Sequence, residues 1–114
     1  MIHGKLVRDN IPGIIKGSGN TPEVIQLTNE EFSVALIEKL REETDELDEM
    51  VSVSKNSDND CSDMIADEIA DIMEVLDYII YDMGLDLADV NRRRKRKLGT
   101  KGGFVNKLYL VRVS

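Results

Sequence analysis

The sequence is poor in cysteine and aromatic residues, and its 15 basic residues are outnumbered by 22 acidic ones. Its 114 residues include one cysteine, no tryptophan and two prolines. A single cysteine excludes an intrachain disulfide and fits a reducing compartment. The low aromatic content suits a helical core packed by Leu, Ile and Met better than a β-sandwich. The formal net charge of −7 argues against binding to nucleic acid or to an anionic membrane through bulk charge.

Long hydrophobic segments are absent as well. The chain has no run of about 18 apolar residues, and its first residues, Met-Ile-His-Gly-Lys, contain no apolar signal region. We therefore expect a soluble, cytoplasmic protein that does not enter a membrane. At this length we also expect a single domain covering 1–114.

Amphipathic helices are the main feature that the sequence does contain. The pattern Thr28-x-x-Glu31 is a capping box and predicts a helix start, while Gly84 predicts a helix end. Asp86 predicts the start of a further, shorter helix. The helices expected from these signals and from apolar periodicity cover 11–16, 29–53, a segment from near Cys61 to just before Gly84, and 87–98 closed by Gly99.

The remaining segments are expected to be irregular or β-prone. Residues 52–62 are polar and predict a loop, and 23–27 has the composition of a short strand. Residues 108–113 are also β-prone and could pair with 23–27 or with another chain. The predicted fold class is therefore all-α: an antiparallel helical bundle with short irregular or β-prone N- and C-terminal segments.

Carboxylates interrupt the apolar stripe of each long helix. At about 100° per residue, Glu43 falls about 20° from Leu36, in the middle of the first stripe. Glu68 lies roughly 60° from the centre of the second stripe. Glu46 and Asp71 follow these acids at i+3 and therefore share their faces. The stripes consist of Leu36, Leu40, Leu47 and Met50 in the first long helix and of Ile65, Ile69, Ile72, Leu76, Ile79 and Met83 in the second.

Antiparallel packing would bring these four acids together. Four ionised carboxylates in a semi-dry cleft require either raised pKa values or bound cations. Oxygen ligands suit hard divalent ions, and Mg²⁺ held by carboxylates usually keeps positions for water and substrate phosphates. A solvated charged face is the usual alternative for helical acids, but the positions of Glu43 and Glu68 argue against it. The pattern therefore indicates a metal site for nucleotide chemistry.

The spacing of the acids resembles that of a known superfamily. Glu42-Glu43-x-x-Glu46, then 21 intervening residues, then Glu68-x-x-Asp71 is similar to the two metal motifs of the all-α nucleoside triphosphate pyrophosphohydrolases. This superfamily includes MazG, the dimeric dUTPases and phosphoribosyl-ATP pyrophosphohydrolase. The segments 5–12, Lys-Leu-Val-Arg-Asp-Asn-Ile-Pro, and 101–104, Lys-Gly-Gly-Phe, resemble one branch of small MazG-like house-cleaning enzymes.

The resemblance implies a reaction and an assembly. The reaction is Mg²⁺-dependent hydrolysis, with Mn²⁺ as an alternative ion, of a non-standard or damaged nucleoside triphosphate to the monophosphate and pyrophosphate. Glu43, Glu46, Glu68 and Asp71 would take the metal-ligand positions, and Glu42 would bind or orient the attacking water. These five are the expected catalytic residues. A homodimer or a tetramer of dimers is also implied, because the catalytic helices of this superfamily usually pair between subunits.

Five basic residues are candidates for contacts with the substrate. Lys39 precedes the first acidic motif by one turn and would either form an i, i+4 salt bridge or contact a phosphate. Lys97 and Lys101 match a Lys-x-x-x-Arg pair that meets phosphates in the superfamily. The second position here is lysine, which loses a bidentate contact. For Lys5 and Arg8, which belong to the branch motif, a phosphate contact is our hypothesis.

Two other functions remain open from the sequence. A catalytically silent helical module that retains the acids could bind nucleotide or a protein partner. The basic run at 92–97 could contact nucleic acid, but six residues on a helix spread around its whole circumference. We therefore expect no nucleic-acid partner.

Overall fold

The computed structural model describes residues 4–57 and 60–114. Within these residues the chain forms four α-helices and no strand, so the predicted all-α class is confirmed. Residues 58 and 59, which belong to the predicted loop, lie outside the described residues, as do the first three. The helices are α1 (Ile11–Gly17), α2 (Asn29–Asn56), α3 (Ser62–Asp82) and α4 (Leu87–Lys101).

Local signals determine where most of the helices begin and end. Thr28 Oγ1 accepts the backbone N–H of Glu31 at 3.2 Å, and the Thr28 N–H donates to the Glu31 carboxylate at 2.9 Å, so the capping box is confirmed. Asp86 accepts the N–H of Ala88 at 3.0 Å at the start of α4. Gly84 follows α3 with a φ of 68°, a left-handed conformation that favours glycine.

Three helices extend further than the sequence predicted: α1 by one residue, to Gly17, and α2 and α4 by three residues each. α2 continues to Asn56 instead of ending at residue 53, and α4 continues through Gly99 to Lys101. A glycine inside a helix costs only about 1 kcal/mol, so Gly99 does not end α4. The helix ends at Gly102, whose φ of 79° the other residue types rarely adopt.

The predicted strand at 23–27 is wrong, and so is its pairing with 108–113. Both segments lack secondary structure, and Val24 and Ile25 are exposed. β-branched residues favour a strand only where a neighbouring strand and a packed face are present, and the described chain provides neither here.

α2 and α3 form an antiparallel hairpin packed along a heptad seam. The direction follows from Ser33, near the start of α2, whose hydroxyl donates to the Asp82 carboxylate at the end of α3 at 2.6 Å. Buried and half-buried side chains recur at alternating intervals of three and four residues, as in coiled coils. This seam contains Ser33, Leu36, Leu40, Glu43, Leu47, Met50 and Ser54 from α2, and Cys61, Ile65, Glu68, Ile72, Val75, Ile79 and Asp82 from the α3 side.

The buried stripe of α3 is rotated relative to the prediction. Ile69, Leu76 and Met83, which were expected to be buried, are 44%, 42% and 64% exposed. The reason is that a two-helix hairpin buries one narrow seam, whereas α3 carries apolar residues over a wider arc. We call the exposed apolar residues of this second face the outer stripe; they are Ile69, Met73, Leu76 and Met83.

The chain exposes more surface than a compact protein of its size. Its Cα radius of gyration is 18.4 Å, whereas roughly 13 Å is expected for a compact domain of this length. Its accessible surface is 10388 Å², against roughly 6,300 Å² for a folded monomer of this mass. Much of the difference is apolar, since Phe104, Leu108 and Tyr109 are 96%, 88% and 90% exposed. No helix in the described residues is both long and apolar enough to cross a membrane.

Candidate metal centre

Two glutamates occupy core positions of the helical seam. Glu43 on α2 is 6% exposed and Glu68 on α3 is 5% exposed. The heptad pattern assigns apolar side chains to such positions, because burying a carboxylate without a donor or a cation is costly. One oxygen of each residue, Glu43 Oε2 and Glu68 Oε1, is buried and has no hydrogen-bond partner among the described residues. Either a proton shared between the two carboxylates or a bound cation would satisfy these oxygens.

Asp71 completes a group of three carboxylates. It follows Glu68 by one helical turn on α3 and is half-buried. One carboxylate oxygen from each of Glu43, Glu68 and Asp71 lies within 4.8 Å of the other two. We call these three residues the acidic cluster. Their oxygens fit a hard divalent cation, which requires several oxygen ligands close together.

The two buried glutamates differ in their affinity for a proton. A hydrogen bond with Glu43, followed by burial and by the charges of Glu43 and Glu46, raises the pKa of Glu68 to about 8. Burial would also raise the pKa of Glu43, but the hydrogen bond with Glu68 and the ammonium of Lys39 outweigh burial and lower it. Near neutral pH, Glu43 is therefore ionised while Glu68 retains a proton that it donates to Glu43.

The other two predicted acids lie beside the acidic cluster. Glu46 is exposed, and its charge contributes to the raised pKa of Glu68. Its oxygens are not among those that converge within 4.8 Å. Glu42 is half-buried and lies 3.5 Å from the ammonium of Lys39. The structure thus brings together three of the four predicted metal ligands, with Glu46 and Glu42 at the edge.

Lys39 is held by the acids of its own helix. Its Nζ lies 3.2 Å from Glu43 Oε1 and 3.5 Å from Glu42 Oε1, and its side chain is 18% exposed. Of the two roles considered for Lys39, the structure shows the i, i+4 salt bridge with Glu43. This contact keeps Glu43 ionised and fixes its carboxylate on the seam.

The segment before α1 supplies two further cations. Arg8 contacts Asp71, with Nη2 2.8 Å from Oδ1, and Glu74, with Nη1 3.3 Å from Oε2. Lys5 lies across the hairpin, with its Nζ 4.0 Å from Glu42 Oε1. The role of Glu74 as a partner of Arg8 was not predicted, because α3 periodicity assigns Glu74 to the outward face and nothing in its local sequence indicates a residue 66 positions earlier.

The last two predicted cations lie on α4, away from these contacts. Lys97 and Lys101 are exposed, and neither forms an ion pair within the described residues. Part of the basic run is used locally, since Arg93 pairs with Asp89 at 2.8 Å and Arg92 with the same residue at 3.5 Å. A single chain therefore does not add α4 cations to the acidic cluster.

A groove opens between α2 and α3 at one end of the acidic cluster. Its volume is about 300 Å³, and most of its lining is apolar. Sequence analysis did not identify it, because its walls come from two helices. One signal was available: Cys61 precedes Ile65 by four residues and Glu68 by seven, a heptad spacing that places Cys61 on the same side of α3 as Glu68. The groove is lined by Glu46, Glu49, Met50, Val53, Cys61 and Met64.

Comparisons with known proteins identify a relative but no family. No protein-family model matches the chain, and no solved structure matches it. Over 43 residues the chain is 49% identical to an uncharacterised protein of Mycolicibacterium smegmatis (strain ATCC 700084 / mc(2)155). This match covers 38% of the chain and 44% of the relative, so the chain spans less than half the length of that protein.

Proposed function

We propose that this protein is a Mg²⁺-dependent nucleoside triphosphate pyrophosphohydrolase of the MazG-like type. It would convert a non-standard or damaged nucleoside triphosphate to the monophosphate and pyrophosphate. The observation that carries this proposal is the pair of seam positions held by Glu43 and Glu68: each has a buried oxygen without a partner in the described chain, and each offers one oxygen within 4.8 Å of an Asp71 oxygen. A purely structural role does not account for them, because apolar side chains would pack the same seam without burying charge.

The acidic cluster has the donors that a magnesium ion requires. Glu43, Glu68 and Asp71 would hold the ion, with Glu46 close enough to add a ligand or a charge, and Mn²⁺ would bind the same oxygens. When bound, the ion would neutralise charge on the triphosphate and lower the pKa of a bound water.

The side chains around the acidic cluster would position the reactants. Glu42 is half-buried beside Glu43. We assign it the role of orienting the attacking water and accepting a proton from it. The water oxygen would bond to the α-phosphorus as the bond to the bridging α–β oxygen breaks, and pyrophosphate would leave. Lys39 would orient Glu42 and Glu43 during this step through its contacts with both carboxylates.

We further propose that the chain works as a homodimer or a tetramer of dimers in the cytoplasm. The accessible surface of one chain exceeds that of a compact monomer by roughly 4,000 Å², and obligate interfaces bury roughly 2,000–5,000 Å² or more, counted over both partners. A second α2–α3 hairpin packed on the outer stripe would cover part of this surface and complete a four-helix bundle.

Product analysis tests the proposed reaction directly. A panel of standard and damaged nucleoside and deoxynucleoside triphosphates would be incubated with the protein and Mg²⁺, and the inorganic products separated by ion chromatography. Pyrophosphate with an equal amount of monophosphate is expected. Orthophosphate as the sole inorganic product would reject cleavage between the α- and β-phosphates.

A catalytically silent nucleotide- or protein-binding module is the second candidate function. It is favoured by the exposed positions of Lys97 and Lys101, which leave the acidic cluster of one chain without α4 cations. Titration calorimetry with a non-hydrolysable triphosphate, run beside the turnover assay, separates the two functions. Binding without turnover on any substrate of the panel would support the silent module.

A further inference from the structure

An extended N-terminal segment crosses both helices of the candidate metal centre. We call residues 4–10 the N-terminal strap. Its Lys5 approaches Glu42 on α2, and its Arg8 contacts Asp71 and Glu74 on α3. The strap therefore brings two positive charges to the acids of both helices: Arg8 contacts Asp71 of the acidic cluster, and Lys5 approaches Glu42, the neighbour of Glu43.

Both strap cations have hydrogen-bond donors to spare. The Lys5 and Arg8 side chains are 65% and 57% exposed. The 4.0 Å contact of Lys5 is too long for a hydrogen bond, and Arg8 uses two of its five N–H groups on carboxylates. Ion pairs this exposed add little to stability, so anchoring the strap does not account for both residues.

Lys39, unlike the two strap cations, is largely buried and its ammonium group is already paired. It is 18% exposed, and its ammonium already lies within 3.5 Å of two carboxylates. Among the described cations that border the acidic cluster, Lys5 and Arg8 thus combine exposure with unused donors. A guanidinium in particular presents paired N–H groups that match a phosphate.

We infer that Lys5 and Arg8 of the N-terminal strap bind the polyphosphate chain of the substrate. This inference rests on the proposed function, which brings a triphosphate to the acidic cluster. Arg8 would contact a phosphate with two N–H groups, and Lys5 would contact the chain from the α2 side. Their charges would also stabilise the pyrophosphate as negative charge develops on it. Within one chain, the strap thereby supplies phosphate contacts without the α4 cations Lys97 and Lys101, to which the sequence analysis also assigned them.

Calorimetric titration with inorganic tripolyphosphate tests this assignment without turnover. The full chain with Mg²⁺ would be compared with Arg8→Ala, Lys5→Ala and the double variant. Lys16→Ala is the matched control, because it removes one exposed positive charge from α1, next to the strap. Each single strap variant is expected to bind tripolyphosphate about tenfold more weakly, since one charge-assisted contact is lost. Lys16→Ala is expected to bind within about twofold of the unmodified protein.

Two further measurements keep the result specific. Arg8→Lys retains the charge but loses the paired donors, so an affinity between those of the unmodified chain and Arg8→Ala supports a two-donor contact. Orthophosphate binding is expected to change less than tripolyphosphate binding, because it offers a single phosphate. Thermal melts of all variants show whether the fold is retained, and Lys5→Ala carries the test if Arg8→Ala does not fold.

The possible outcomes distinguish failure of the strap assignment from failure of the proposed hydrolase function. Equal affinities of Arg8→Ala, Lys5→Ala and Lys16→Ala for tripolyphosphate would overturn the strap assignment, while pyrophosphate release by the unmodified protein would still support the enzyme. Failure of the unmodified protein to bind tripolyphosphate would overturn the strap assignment as well. Arg8-dependent binding without hydrolysis of any nucleotide would support the strap and overturn the proposed function.

Discussion

Glu43 and Glu68 face each other across the seam between α2 and α3, and each has one buried oxygen without a hydrogen-bond partner in the described chain. Both residues lie at positions where heptad packing places apolar side chains. Such a pair weakens the hairpin unless a proton or a cation lies between the carboxylates. Protonation, metal binding and substitution at this pair should therefore each change a measurable property of the protein.

Without divalent ions, the protein is expected to lose thermal stability as the pH rises from about 5 to about 8.5. The pKa of Glu68 is raised from 4.5 to about 8 in the folded chain, so the folded state binds this proton more tightly than the unfolded state. Its contribution to stability is complete below pH 4.5 and is lost as the pH rises through about 8. The lowered pKa of Glu43 affects stability in a more acidic pH range. Its contribution to stability is lost as the pH falls below 4.5.

Scanning calorimetry in EDTA across this range measures the effect. Glu68→Gln is expected to flatten the decline, because an amide does not ionise. Asp77→Asn, which removes an exposed carboxylate from the same helix, is expected to leave the decline in place. A melting temperature of the unmodified chain that stays constant or rises between pH 5 and pH 8 would contradict the shared proton.

Mg²⁺ or Mn²⁺ is expected to raise the melting temperature, and to raise it more at about pH 8.5 than at about pH 6. The ion requires Glu68 to ionise, so a proton competes with it below the raised pKa of that residue. Calorimetric titration near neutral pH, in buffers of different ionisation enthalpy, should show the release of about one proton per bound ion. Asp71→Asn should weaken binding, whereas Asp77→Asn should not. Equal affinity at both pH values would show that Glu68 is not a ligand.

Glu43→Gln is expected to reduce pyrophosphate release about 100-fold or more, because it removes the charge of a buried ligand. The fold should be retained, and above about pH 8, where Glu68 ionises, it should become more stable because the change removes the like charge that faces Glu68. Circular dichroism, a thermal melt and the pyrophosphate assay together measure both effects. Asp45→Asn changes an exposed acid of the same helix and should keep full activity. A fully active Glu43→Gln would show that Glu43 does not hold the metal.

The helices and the two central acids were predictable because their signals are local. The Thr28 capping box, the Asp86 cap and the glycine after α3 depend on residues within one turn. The burial of Glu43 follows from its angle relative to Leu36, which periodicity alone provides. These features required no knowledge of the rest of the chain.

The features that the sequence did not predict depend on distant parts of the chain. The contact between Arg8 and Asp71 joins residues 63 positions apart, and no local pattern indicates it. The seam contains Val75 rather than Leu76. Packing between the two helices decides which side of α3 is covered by α2. For the same reason, the apolar groove beside the acids could not be inferred from either helix alone.

The outer stripe of α3 predicts that the protein self-associates. Leu76 is 42% exposed at its centre, between apolar residues that a single hairpin leaves uncovered. Sedimentation equilibrium should give about two times the chain mass of 12.8 kDa for a homodimer, or about eight times for a tetramer of dimers. Leu76→Glu should shift this value toward one chain mass, because it would bury a charge against the second copy.

Tyr81→Glu is the matched control for this experiment. Tyr81 is 82% exposed and lies roughly 140° around α3 from Leu76, outside the outer stripe. The Tyr81→Glu substitution also places a glutamate on α3, but outside the outer stripe, so the assembly should persist. If the dimer is required for catalysis, Leu76→Glu should lose pyrophosphate release while circular dichroism still shows helix. An interface at the outer stripe would be contradicted if the unmodified chain sediments at 12.8 kDa. Equal dissociation of the Leu76→Glu and Tyr81→Glu variants would also contradict it.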